Sequence, residues 1–177
     1  WWVDGEGVRY TFSMSGEDSG VSIDENGRQR CVLKASGWYR NPEGRPVAKV
    51  DLRLHLFRDK SFARLYHTVV FAGSPWRDRL GQYGVTFRNL AKADAVEIEG
   101  DGKVAVSGKS ASLLQVSADL FTAGPGGKAG GARASGTVRF LAEGKPRLAV
   151  CLRDAWRMFP KKVEADASNG AVTFSYW

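Results

Sequence analysis

The sequence predicts an all-β protein: a large antiparallel β-sandwich of two facing sheets with almost no helix. Three observations lead there. Alternating apolar and polar segments of about 5–12 residues recur along the chain, bounded by glycine, proline, asparagine and aspartate. No stretch sustains the long 3.6-residue period of an amphipathic helix. With 177 residues, 43% hydrophobic and 25% charged, the chain can bury a real core between two sheets.

The elements follow in order. Residues 8–15, VRYTFSMS, alternate as a strand. Residues 20–40 read as a hairpin around Asn26-Gly27, a pair suited to the left-handed backbone of a tight turn. NPEG at 41–44 is a turn by its own chemistry: Asn41 opens it, Pro42 fixes φ and Gly44 permits the exit. A strand over 46–57, a turn RDKS at 58–61 and a strand in SFARLYHTVVFAG (61–73) come next. Further strands are expected at 82–89, 94–99, 103–107, 112–121, 133–141, 147–153, 162–166 and 171–177. GPGGKAGGARASG (124–136) is glycine-rich enough to predict a mobile surface loop. DAWRMFP (154–160) predicts one helical turn, stopped by Pro160.

There is no internal repeat and no sign of a second-domain boundary, so 1–177 reads as a single β-sandwich domain. The opening WWVDGEG, without an initiator methionine, and the ending VTFSYW, inside a strand pattern, fit a domain excised from a larger multidomain protein.

The net charge of +7 favours an anionic partner, though only weakly. Nucleic acid is the weakest such partner, because the basic residues are scattered and carry no recognition motif. No apolar run is long enough to span a bilayer, which argues against a membrane partner. Localisation is left open, with a secreted or periplasmic place the leading option. Cys31 and Cys151 lie in apolar strand patterns and read as buried free thiols. No His/Cys cluster has metal-ligand spacing, and neither a metal nor a cofactor is expected.

The hairpin at 46–73 decides which side chains share a face. If Asp59-Lys60 form a two-residue loop, Phe57 opposes Phe62, His55 opposes Arg64, Arg53 opposes Tyr66 and Asp51 opposes Thr68. The other face then collects Leu52, Leu54, Leu56, Ala63, Leu65, His67, Val69 and Phe71, a set whose burial would fix this register. His67, opposite Leu52, reads as a buried neutral imidazole with a hydrogen-bond partner. Arg53, His55, Arg64 and Tyr66 stand together on the polar face, where Asp51 is the one acid of the hairpin. That face is either a solvated or partner-covered surface, or a platform for a carboxylate-bearing ligand, since a guanidinium fork matches a carboxylate.

Several stretches resemble one family. LRLHLFRDKSFARLYHTVVF looks like the core hairpin of the exo-rhamnogalacturonan lyase family, which includes YetA-like bacterial proteins. SASLLQVSADLF (110–121) resembles that family's leucine-leucine-glutamine strand, and RASGTV (133–138) a short element after its variable loop. LAVCLRDAWRMFPKKVEADASNGAVTFSYW (148–177) resembles its ending, with Ala155 where an aromatic is usual and Arg157 and Met158 in place of frequent glutamines.

The resemblance implies the central β-sandwich domain of a polysaccharide lyase that cleaves acidic pectic polysaccharide, rhamnogalacturonan, by β-elimination. Neighbouring domains of the same chain would then be further partners. The reaction needs a cation on the uronate carboxylate and a base, and no catalytic residue is assigned here. Binding candidates are Arg53, His55, Arg64 and Tyr66 on the hairpin, and Arg153, Trp156 and Lys161 around the irregular RDAWRMFPKK turn. That turn reads first as a Trp156/Phe159 plug sealing the sandwich end with solvated cations around it, and next as an interdomain contact. The alternative function is a non-catalytic carbohydrate-binding or scaffold module.

Overall fold

Alternating sequence becomes strand almost throughout. The computed structural model describes the chain apart from residues 75–78, 125–127 and 158 and the side chains of 128, 129 and 156. The helix among the described residues is one 3-10 turn of 3 residues, Ala155–Arg157. Two compact units divide the chain, Trp1–Gly81 and Gln82–Trp177.

The first unit is built on β1 (Trp2–Asp4), β2 (Arg9–Ser13), β3 (Gly20–Asn26), β4 (Arg30–Arg40), β5 (Pro46–Phe57) and β6 (Ala63–Phe71). They pair antiparallel in the order β1-β2-β4-β5-β6, and β3 pairs the remaining length of the same β4 edge. The hairpin register is the one the sequence predicts: His55 opposes Arg64, Arg53 opposes Tyr66 and Leu52 opposes His67. Its tip differs. The Lys60 amide donates to the Phe57 carbonyl at 3.4 Å and Asp59 takes φ 55°, so the chain bends at Arg58-Asp59 and not in an Asp59-Lys60 loop. Aspartate tolerates this left-handed conformation, which is why a non-glycine turn can close here.

The aliphatic face of the hairpin is covered at one end only. Trp2, Tyr10, Tyr39, Val47, Ala48 and Val50 form a small core, with Leu52 and Val69 packed against it. Toward the hairpin tip, Leu56 and Leu65 are exposed, and on β3 Val21 and Ile23 are 70% and 60% exposed. The expectation that this whole face is core is therefore corrected: β1 and β2 reach only the Tyr39–Val50 end of the longer β4 and β5.

The second unit is an antiparallel β-sandwich. One sheet runs β14 (Lys145–Cys151), β13 (Ala134–Ala142), β8 (Ala95–Gly100), β9 (Lys103–Gly108). The other runs β12 (Lys128–Gly131), β11 (Leu120–Ala123), β10 (Ser110–Ser117), β15 (Lys161–Asp166), β16 (Ala171–Tyr176), β7 (Leu80–Phe87). Alternate residues of both sheets make the core: Val96, Ile98, Val138 and Phe140 on one side, Leu113, Val163, Val172 and Phe174 on the other.

Three expectations need correction here. The stretch 112–121 is not one strand, because the chain turns at Ala118-Asp119 between β10 and β11. The glycine-rich segment is not wholly a loop, because residues 128–131 pair with β11. Its glycines make room: a Cβ on Gly130 would come within 2.3 Å of the buried Phe121 ring, as would one on Gly100 at the end of β8. Cys151 is exposed, as alternation puts it with Thr137 on the outward face of β13–β14, while Cys31 is half-buried; both are free thiols.

Candidate functional site

Four strands converge their polar side chains on one face of the first unit. The register aligns Arg30 with Phe57, Val32 with His55, Lys34 with Arg53 and Ser36 with Asp51 across β4 and β5. It then continues to Arg64, Tyr66 and Thr68 on β6. An irregularity between Ile23 and Glu25 in β3 adds Asp24 and Glu25 to this face.

Most of the positive charge there is matched. Arg53 Nε donates to Asp24 Oδ2 at 2.9 Å, and its Nη1 lies 3.5 Å from Asp51 Oδ2. Lys34 Nζ is 3.5 Å from the same oxygen. Arg30 grips Glu25 through Nε and Nη2. Burial opposes ionisation of Asp51, but the Ser36 hydroxyl at 2.7 Å, Lys34 and Arg53 outweigh it and hold the carboxyl below its usual range. The hydrogen bond from Arg30 does the same for Glu25.

Arg64 is different. It is exposed, and among the described residues it meets no carboxylate. Its guanidinium carbon lies 5.7 Å from the centre of the Phe62 ring and 5.8 Å from that of Phe57, two rings 5.2 Å apart. His55, directly opposite, tilts against Tyr66 with ring centres 4.7 Å apart, and Tyr66 is 46% exposed. The result is a fixed guanidinium beside a short row of aromatic surfaces, open to solvent.

The remaining candidates are placed elsewhere. His67 is half-buried on the opposite face, its Nε2 2.9 Å from the Tyr39 hydroxyl. Burial lowers its pKa to about 4, so at neutral pH it is the uncharged imidazole expected. Arg153 is fully solvated apart from Asp154 Oδ2 at 3.7 Å. Lys161 is 1% exposed: its ammonium donates to the Ala155 carbonyl and lies 5.3 Å from the Tyr176 ring centre. Burial lowers its pKa to about 8. It therefore belongs to the sandwich interior and is not presented on a binding loop. The Trp156 side chain and Met158 lie outside the described residues.

Sequence reasoning missed a second surface, in the other unit. The outward faces of β7, β16, β15 and β10 form an open concavity of about 840 Å³. The register sets Ser112, Glu164, Thr173 and Thr86 in one row across it, and Ser110 and Asp166 in the next. Arg88 and Asn89 stand at its rim. The signal was present as small polar residues at several outward positions, Thr86, Ser110, Ser112 and Thr173, but only the pairing shows that they meet. Among the described residues no group of three His, Cys, Asp or Glu could hold a metal ion.

Fold and platform together define an all-β sandwich protein with a solvent-open cation–aromatic face. No family model matches the chain, and no curated protein sequence matches it.

Proposed function

We propose that the chain is a carbohydrate-binding β-sandwich module of a polysaccharide lyase-like protein, and that the Arg64 face takes the carboxylate of an acidic pectic sugar. The observation that supports this is the spare guanidinium. Arg30, Lys34 and Arg53 each have a carboxylate on this face, whereas Arg64 is held over Phe57 and Phe62 and among the described residues its donors meet no acceptor side chain. A uronate offers a carboxylate to the fork and a ring face to the neighbouring aromatics.

One observation favours the catalytic version. His55 directly opposes Arg64 and touches Tyr66. In β-elimination the cation neutralises the uronate carboxylate, a base such as an imidazole or phenolate removes the adjacent proton, and the C4–O bond breaks.

The test is titration of a galacturonate-containing oligosaccharide into wild type and Arg64→Ala. A charge-assisted hydrogen bond contributes about 1.5–3 kcal/mol, so the variant is expected to bind about 10- to 100-fold more weakly at unchanged Tm. Unchanged affinity would overturn the binding reading, and a lowered Tm would instead mark the face as a seam with a neighbouring domain. Release of unsaturated uronate by the 177-residue chain, seen as new ultraviolet absorbance, would establish the catalytic version; the binding module is expected to show none.

A further inference from the structure

We infer that the concavity on the outward face of β7–β16–β15–β10 is a second saccharide site, selective for neutral oligosaccharide.

The argument starts from the lining. Ser112, Glu164, Thr173 and Thr86 cross four strands as one continuous row of hydrogen-bonding groups. Each hydroxyl can donate and accept, as each sugar hydroxyl can, and a carboxylate can accept from two of them. Thr86 and Thr173 already share a hydrogen bond at 3.0 Å, which fixes the two rotamers. Ser112 makes no side-chain hydrogen bond among the described residues, and Arg88 meets no carboxylate. These are groups with unused capacity facing an open hollow. At about 840 Å³ the hollow is of ligand-site size, within the roughly 300–1,000 Å³ range of such sites.

Charge decides the class of saccharide. Glu164 is paired with Lys162, Nζ to Oε1 at 2.7 Å, so that carboxylate is neutralised on the protein. Asp166 accepts from the Ser168 amide and hydroxyl at 2.8 and 2.5 Å, which holds its carboxyl ionised below the usual range. Arg88 stands at the rim, so the hollow and its edge carry two carboxylates, Glu164 and Asp166, and two cations, Lys162 and Arg88. Among the described residues these carboxylates and cations balance, and a lining of hydroxyls without net charge suits a neutral polyol better than a polyanion. It is thus the chemical opposite of the Arg64 face, and it does not depend on that face binding anything.

The test is amide NMR on the full chain, titrated with cellotetraose, galactotetraose and xylotetraose to about 10 mM, a range that captures millimolar binding. At least one is expected to shift the amides of Ser112, Glu164 and Thr173. Arg88→Ala and Glu164→Gln, both at exposed positions, are expected to weaken that binding about tenfold, with Arg64→Ala leaving it unchanged. No shift with any of the three probes would overturn the inference. So would shifts at these amides with galacturonate oligosaccharide alone, or binding untouched by both variants. The Arg64 titration described above reads the other face, so either reading can fail without the other.

Discussion

The backbone amide of Ala134 donates to the side-chain Oε1 of Gln115 across 2.7 Å, in a site with 1% and 2% exposure at the two residues. The same side chain donates through Nε2 to the carbonyls of Ser117, Leu120 and Ala132, at 2.6, 3.2 and 2.8 Å. One amide thus joins β10, its turn into β11 and the entry of β13. Gln115→Leu is nearly isosteric but strands several buried backbone groups, each costing about 1–3 kcal/mol. The expected loss is about 3 kcal/mol or more by urea denaturation. A loss under about 1 kcal/mol would show that water replaces the amide.

The Phe121 ring depends on missing side chains. Gly100→Ala would place a methyl 2.3 Å from its Cζ, an overpacking that costs about 1–3 kcal/mol. In a Phe121→Leu background the same substitution should cost clearly less. A double-mutant cycle measures this coupling, and simple additivity would refute it.

His67 gives the first unit a weakness to acid. Its folded pKa is about 4 against an ordinary 6.5, so the unfolded chain binds more protons between those values. Stability should fall as pH drops from 6.5 toward 4. His67→Gln keeps a group able to bond Tyr39 but cannot titrate, and its stability should decline less between pH 6.5 and 5. Parallel curves for the two proteins would rule the assignment out.

Lys161 acts in the alkaline range. Burial holds its pKa at about 8, below the ordinary 10.5, so the unfolded chain again binds the extra proton. Stability should rise from pH 8 to about 10. Above that, Tyr176 opposes the rise, because burial has pushed its own pKa upward. Lys161→Met should abolish the rise, which denaturation at pH 8, 9 and 10 would detect; a rise that persists in the variant assigns it to another group.

The hairpin pairing was legible because period-two alternation permits one register that gathers Leu52, Leu54 and Leu56 with Leu65 and Val69. How far that face is buried was not legible, since it depends on how much of β4 and β5 the short β1 and β2 can reach. Gly130 and Gly131 looked like loop residues because composition does not say which ring needs their space. Lys161 looked like a surface cation because its strand parity follows from the β15 register with Gln115 and Tyr176, residues far away in sequence. On the polar face, Arg64 and His55 were found, but Asp24 and Glu25 were not.

Those two acids are adjacent in sequence, and a regular strand would send them to opposite sides of the sheet. The shift in β3 between Ile23 and Glu25 lets both reach the cations. One extra residue therefore sets the valence of the platform. Straightening β3 would turn Glu25 away and release Arg30, so that among the described residues of this face Arg30 would join Arg64 as a guanidinium without a carboxylate. A backbone insertion, with no change in any cationic residue, works here as a dial on how many anionic groups the face can hold.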